Sequence, residues 1–223
     1  MHRLTKLLFI PFGILIACSN TSGQQAGNFT TTPTQEDLSK YSKAYFASGC
    51  FWCVEAVFQS VEGVAEAISG YTGGNEQNPT YRQVSYGQTG HAEAVEVYYD
   101  PAVVSYETLL VVFFGSHDPT TLNQQGPDRG AQYRSGIYYQ NDTEKNAIDV
   151  YIQKLVDDGL YTRNEITTEI AAFMKFWPAE DYHQEYERLN PNQPYVRSVS
   201  IPRLNRFKAA YPELLKEEAK QAH

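Results

Sequence analysis

Apolar and polar positions divide this chain into short stretches of two different periods. Lys43-Ala44-Tyr45-Phe46-Ala47-Ser48 reads as a short strand, and behind it Phe51, Val54, Val57, Phe58 and Val61 recur at helical spacing. Val64 to Ser69 reads as a second strand, ending in the glycine-rich turn Gly70-Tyr71-Thr72-Gly73-Gly74-Asn75. That turn is not a phosphate loop, because it lacks the Lys-Ser/Thr ending and a following helix. Asn78-Pro79-Thr80-Tyr81 continues as loop, since Pro79 disfavours helix at Asn78. His91 to Tyr99 alternates as a strand, with Glu93, Val95, Val97 and Tyr99 on one face, and Asp100-Pro101 stops it.

Ser105 is the N-cap of a helix that runs to Phe114 and buries Leu109, Leu110, Val112 and Phe113. His117 opens a long loop that ends at Gly130, and Tyr133 to Tyr139 is another strand. Asn141-Asp142 caps the clearest helix, whose face is Ala147, Ile148, Tyr151, Ile152, Leu155 and Val156, and Gly159 stops it. Ile166 to Phe173 reads as a strand and Ala179 to Leu189 as a short polar helix. From Asn190 the chain is Pro-interrupted and ends in an amphipathic, exposed helix, Pro212 to Ala219. Alternating strands and helices predict an α/β or α+β architecture, one sheet with helices packed on it.

Both ends of the chain fall outside that pattern. Arg3 and Lys6 precede an apolar run from Leu7 to Ala17, too short to span a bilayer and read as a secretory signal. The run closes on Leu15-Ile16-Ala17-Cys18, which resembles the lipobox of bacterial lipoproteins and implies cleavage before a lipidated Cys18. The expected organisation is a lipoprotein signal peptide (1–17), a polar tether (18–42), a catalytic domain (43–199) and a C-terminal extension (200–223). The expected location is the bacterial cell envelope, lipid-anchored and either periplasm-facing or on the outer membrane. A net charge of −8 argues against binding nucleic acid by phosphate neutralisation. The leader carries two of the 18 basic residues and none of the 26 acidic ones, so anchoring rests on lipid rather than on a basic patch.

With Cys18 assigned to lipid, Cys50 and Cys53 are the thiols left of the three cysteines. They sit in Gly49-Cys50-Phe51-Trp52-Cys53, at a strand-to-helix turn. Free N–H groups and the positive end of the helix macrodipole are expected to lower the Cys50 pKa there. A bridge across so short a loop restricts the unfolded chain little, so a redox pair is a better reading than a structural staple. Glu93, in line with apolar neighbours, is expected to be buried and held protonated. Two chemistries fit these residues. One is a thiol reductase in which Cys50 attacks a substrate and Cys53 resolves the product; the other is a thioredoxin-like disulfide oxidoreductase of the envelope. A zinc site completed by His91, His117 or His183 is weaker, because no second CxxC and no paired HxxxH exists.

Several motifs occur in one order: Gly49-Cys50-Phe51-Trp52, Gly70-Tyr71-Thr72-Gly73-Gly74, Asn78-Pro79-Thr80-Tyr81, Gly90-His91-Ala92-Glu93-Ala94-Val95 and Gln132-Tyr133-Arg134-Ser135. With Thr168-Glu169-Ile170 and Tyr182-His183-Gln184-Glu185-Tyr186 they resemble the peptide methionine sulfoxide reductase A family, from about Tyr45 to Val199. The resemblance implies a two-layer α/β sandwich around a mixed sheet with a ferredoxin-like core. It also implies reduction of the S epimer of methionine sulfoxide, free or in proteins. Cys50 matches the nucleophile, Glu93 the acid, and Tyr81 and Tyr133 the phenols on the sulfoxide oxygen. Phe51 and Trp52 match the walls around the methyl group, Asp128 an acidic loop residue, and Tyr186 a further aromatic. No metal or tightly bound organic cofactor is implied. A thioredoxin-like dithiol is the implied reductant, and a monomer is expected. Many members carry a second cysteine after a tyrosine near the C-terminus, where this chain has Tyr195-Val196. Cys53 is therefore expected to resolve a sulfenic acid on Cys50 as a Cys50–Cys53 disulfide.

Overall fold

The computed structural model describes residues 38–221. Its centre is a βαββαβ unit. β1 (Ser42–Ser48) leads into α1 (Phe51–Gln59), then β2 (Val64–Thr72), β3 (Ala92–Tyr99), α3 (Tyr106–Gly115) and β6 (Ser135–Tyr139), while the short α2 (Tyr81–Ser85) lies between β2 and β3. A two-residue hairpin, β4 (Gln124–Gln125) and β5 (Asp128–Arg129), stands in the long loop before β6. Then come α4 (Asp142–Asp157), β7 (Glu169–Ala172), β8 (Trp177–Pro178), α5 (Tyr186–Leu189) and α6 (Ile201–Ala210).

The sheet order is β7-β6-β1-β3-β2-β8, antiparallel except where β6 and β7 run parallel. Its middle four strands have the order of a ferredoxin-like core, so the expected mixed α/β fold is the observed one. One core gathers Phe46, Val95 and Val97 from the sheet with Val54, Val57 and Phe58 from α1 and Leu109 and Phe113 from α3. A smaller cluster lies around Tyr45, Ala94, Tyr138 and Phe176, with Phe173 stacked 3.7 Å from the Tyr45 ring. Both faces of β3 are thus covered, and all eight of its residues are buried.

Four local expectations are corrected. Gly70, Tyr71 and Thr72 continue β2 rather than turning, because β3 and β8 pair with them on either side. Gly70 is what permits this: a Cβ there would lie 2.4 Å from the Trp177 carbonyl oxygen. The loop expected at residues 78–81 leads into α2, whose N-cap Thr80 and Gln83 form a capping box. The polar helix expected over 179–189 is broken into a 3₁₀ turn (Asp181–His183) and α5 by Glu185, whose φ is +52°. The exposed helix expected over 212–219 is instead two 3₁₀ turns, with Leu215 buried and bridged to Val61. Two strands are also shorter than their sequence patterns: β6 starts at Ser135, and β7 holds four residues. The helix that sequence reading missed is α6, which packs against α1 and buries Arg203, Leu204 and Phe207.

Candidate active site

The site is built at the N-terminus of α1, where the chain leaves the sheet. Gly49 makes the turn with φ +90°, and a Cβ on it would lie 2.6 Å from Gln125 Cβ. Cys50 is the N-cap residue, and its side chain makes no capping hydrogen bond. Cys53, one turn further in, is buried beside it, and both cysteines are free thiols. Cys18 lies outside the described residues.

The Cys50 expectation is corrected. Burial pushes the thiol well above its ordinary value, reinforced by its hydrogen bond to Cys53 and by the charges of Cys53 and Glu93; the backbone at Trp52 pulls the other way. Cys53 is instead the lowered one, at about 6. The hydrogen bond from Cys50 is the largest cause, burial opposes it, and Arg203, Ser200 and Tyr195 add to it. The helix N-terminus is present, but a desolvated sulfur is governed first by its burial.

Glu93 comes from β3 and is 1% exposed. The N–H of Phe51 donates to its Oε2 at 3.1 Å, which fixes the carboxyl against the first turn of α1. Burial raises its pKa to about 8 in spite of that bond, so at neutral pH it holds a proton. Phe51 and Trp52 pack their rings 6.2 Å apart, and Phe51 also faces Tyr81 at 6.2 Å. Tyr186 stacks on Trp52 at 3.8 Å.

Tyr81 is held through its backbone. Its N–H donates to Glu180 Oε1, while the Tyr71 hydroxyl donates to Glu180 Oε2. Tyr133 ends a 3₁₀ turn whose Gln132 amide donates to the Ser85 carbonyl at the end of α2, so the two phenol-bearing segments are tied together. Burial and the charge of Glu93 push Tyr81 up to about 12 and raise Tyr133 as well, which keeps both hydroxyls as proton donors. Asp128 of β5 accepts from the Tyr195 hydroxyl at 2.5 Å. Glu93, Phe51, Trp52, Tyr81 and Tyr186 thus touch one another at the start of α1, while Tyr133 is linked to them through Gln132 and Ser85, and Asp128 through Tyr195.

The arrangement offers a sulfur nucleophile, a protonated buried acid, phenolic donors and aromatic walls gathered around the start of α1. That set can bind a sulfoxide, protonate its oxygen and attack its sulfur. Residues 42–214 match the family described as peptide methionine sulfoxide reductase. The chain belongs to this family. A peptide methionine sulfoxide reductase MsrA from Pasteurella multocida is 48% identical over 174 residues, covering 78% of this chain and 98% of that protein. One from Acinetobacter baumannii is 48% identical over 176 residues, covering 79% and 99%. Among solved structures, reduced Mxr1 from Saccharomyces cerevisiae superposes with a TM-score of 0.60 at 34% identity, covering 68% of this chain and 86% of that one. Methionine sulfoxide reductase A of Corynebacterium diphtheriae gives 0.59 at 38% identity, covering 67% and 74%. The reductase is thus an oxidoreductase that reduces methionine sulfoxide, and the disulfide oxidoreductase alternative is not favoured.

Sequence reading assigned no role in the site to His183, Tyr195, Ser200 or Arg203. His183 Nδ1 accepts from the Trp52 indole N–H at 3.1 Å, and its ring lies 5.0 Å from Phe51 and 4.3 Å from Tyr81. His91 bonds Gly74 and Glu76, and His117 bonds Phe113 and Ser135, so both are spent on backbone and side-chain partners, while the His183 Nε2 is buried without one. The Tyr-His-Gln-Glu-Tyr motif could have drawn attention to His183. For Ser200 and Arg203 no sequence signal exists.

Proposed function

We propose that the chain reduces the S epimer of methionine sulfoxide, free and in proteins, through a sulfenic acid on Cys50. The observation that carries this reading is Glu93, buried, protonated and bonded to the N–H of the residue that follows Cys50. Cys50, kept protonated at rest by its burial, loses its proton to solvent as its sulfur attacks the sulfoxide sulfur, while Glu93 gives its proton to the oxygen, and Tyr81 and Tyr133 hydrogen-bond that oxygen as charge develops. The oxygen passes to Cys50, leaving methionine and a Cys50 sulfenic acid. Phe51 and Trp52 wall the methyl group, with Tyr186 stacked behind Trp52. Asp128 orders Tyr195 at the pocket edge.

Cys53 then resolves the sulfenic acid as a Cys50–Cys53 disulfide, which a thioredoxin-like dithiol reduces. The support is Cys53 itself, a free thiol buried in the first turn of α1 next to Cys50, and buried Val196 at the position where the family resemblance leads one to expect a further cysteine. We further infer a monomer, exported and anchored to the envelope by lipid on Cys18. Loss of radiolabelled palmitate from Cys18→Ser tests that anchor; retention of the label refutes it.

The decisive assay presents the S and R epimers separately with dithiothreitol. Reduction of S alone is expected, and equal reduction of both overturns the stereochemical reading. In the same assay Cys53→Ser should release one equivalent of methionine and then fail to turn over with thioredoxin. Unchanged thioredoxin-supported turnover removes Cys53 from the resolving role.

A further inference from the structure

Behind α1 lies a second polar cluster, and the reductive half-reaction makes no use of it. Residues 196–200 form a π turn that runs directly into α6, and π turns occur often at functional sites. The turn brings Ser200, fully buried, to Cys53, with Oγ 2.9 Å from Sγ. One helical turn later Arg203 is 5% exposed, a cation in the protein interior. Its guanidinium donates to the Ser48 carbonyl at 2.8 Å, to Ser48 Oγ at 2.9 Å and to the Ser116 carbonyl at 2.8 Å. No ion pair among the described residues involves it. A buried cation without an anionic partner is costly, and Arg203 shares a cavity with Cys53, the thiol nearest to supplying one.

Building on the reading that Cys53 resolves the sulfenic acid, we propose that Ser200 and Arg203 are positioning residues that hold Cys53 as the attacking thiolate. In that step the Cys53 sulfur attacks the Cys50 sulfur, forming the S–S bond and breaking the S–O bond. The leaving hydroxide departs as water, taking a proton equivalent to the one Cys53 gave up. No outside oxidant enters, because the sulfenic acid already carries the two oxidising equivalents.

Other titratable groups face the pair, and wherever they ionise they work against an anion there. Glu93 approaches from β3, and Asp128 lies by Tyr195 across the β4–β5 hairpin. Glu187 of α5 is buried, both its oxygens lack a hydrogen-bond partner, and burial followed by the Cys53 charge raises it to about 8. It is therefore neutral when Cys53 ionises. Tyr195 is raised too, and remains a phenol. On the favourable side stand Arg203 and, further out, Arg206. Both line a cavity of about 170 Å³ that reaches Cys53, with Gln125, Asp128 and Tyr195 on its opposite wall.

The test is the pH dependence of disulfide formation after one equivalent of sulfoxide, followed by mass spectrometry in wild type, Ser200→Ala, Arg203→Met and Arg203→Lys. Ser200→Ala should move the midpoint up by about one pH unit, slowing the step about tenfold near pH 6. Arg203→Met should shift it further and Arg203→Lys less. With the sulfenic acid first formed at pH 6 and the pH then raised, the variants should approach the wild-type rate as the pH passes their own raised midpoints. Defects that persist above those midpoints, or midpoints that do not move in Ser200→Ala and Arg203→Lys, overturn the proposal even if Arg203→Met fails to fold. A wild type that forms no Cys50–Cys53 disulfide overturns the resolving reading, and this proposal with it.

Discussion

Two buried glutamic acids lie against helix α1, and burial has raised the pKa of each to about 8. Near the start of the helix Glu93 reaches across from β3 and, among the described residues, accepts one hydrogen bond, from Phe51 N. One helical turn along, Glu55 projects from α1 itself. It accepts from the Ser69 hydroxyl at 2.6 Å and from the Glu185 N–H at 2.6 Å, with Gln59 at 3.5 Å. The two acids are alike in burial and in the direction of their shift. They differ in what their oxygens are used for. Glu55 spends both on fixing β2 and the left-handed Glu185 that opens α5, whereas Glu93 keeps capacity free beside the nucleophile. A perturbed pKa therefore marks burial, and only the distribution of partners separates a catalytic acid from a structural one.

Replacing each acid with its amide puts that contrast to the test. Glu93→Gln should cut the single-turnover reductive rate by roughly 10²–10⁴-fold, the usual worth of a general acid. The proton is needed on Glu93, so the wild-type reductive rate should fall as pH rises through about 8. An unchanged rate in Glu93→Gln, measured by methionine release in one turnover, takes the residue out of that role.

The substrate side of α1 was largely legible in the sequence. Gly49, Cys50, Phe51, Trp52 and Cys53 are contiguous, and the alternation around Glu93 put it among apolar neighbours on β3. Those signals are local, and local patterns survive folding. The far side was not legible, for the opposite reason. Ser200 meets Cys53 across 147 positions of sequence, and Arg203 meets Ser48 across 155. An arginine in a polar, Pro-interrupted stretch reads as surface; only the packing of α6 on α1 turns it into a buried cation. The same tertiary contacts account for the misread turn at Gly70, which became strand because β3 and β8 flank it. The Cys50 thiol follows the same rule. Its place at a helix start could be read from sequence, but not the burial that outweighs it.

The smallest effect is expected at Glu55, and it concerns stability rather than rate. Its pKa lies near 8 in the folded protein, above the ordinary 4.5 of the unfolded chain. A raised pKa contributes stability that is fully present below pH 4.5 and is lost as pH climbs through 8. For one group of this kind the loss is on the order of 5 kcal/mol across that window. Glu55→Gln should remove that slope. Its amide oxygen can still accept from the Glu185 N–H, and the Ser69 hydroxyl can rotate to accept from the amide nitrogen. Urea midpoints measured from pH 5 to 9 should therefore fall less steeply in Glu55→Gln than in wild type, while reductive rates at pH 7 stay within a few-fold. Parallel midpoint curves would mean that Glu55 is ionised in the fold after all, and the likeness drawn between the two acids would then break at its structural end.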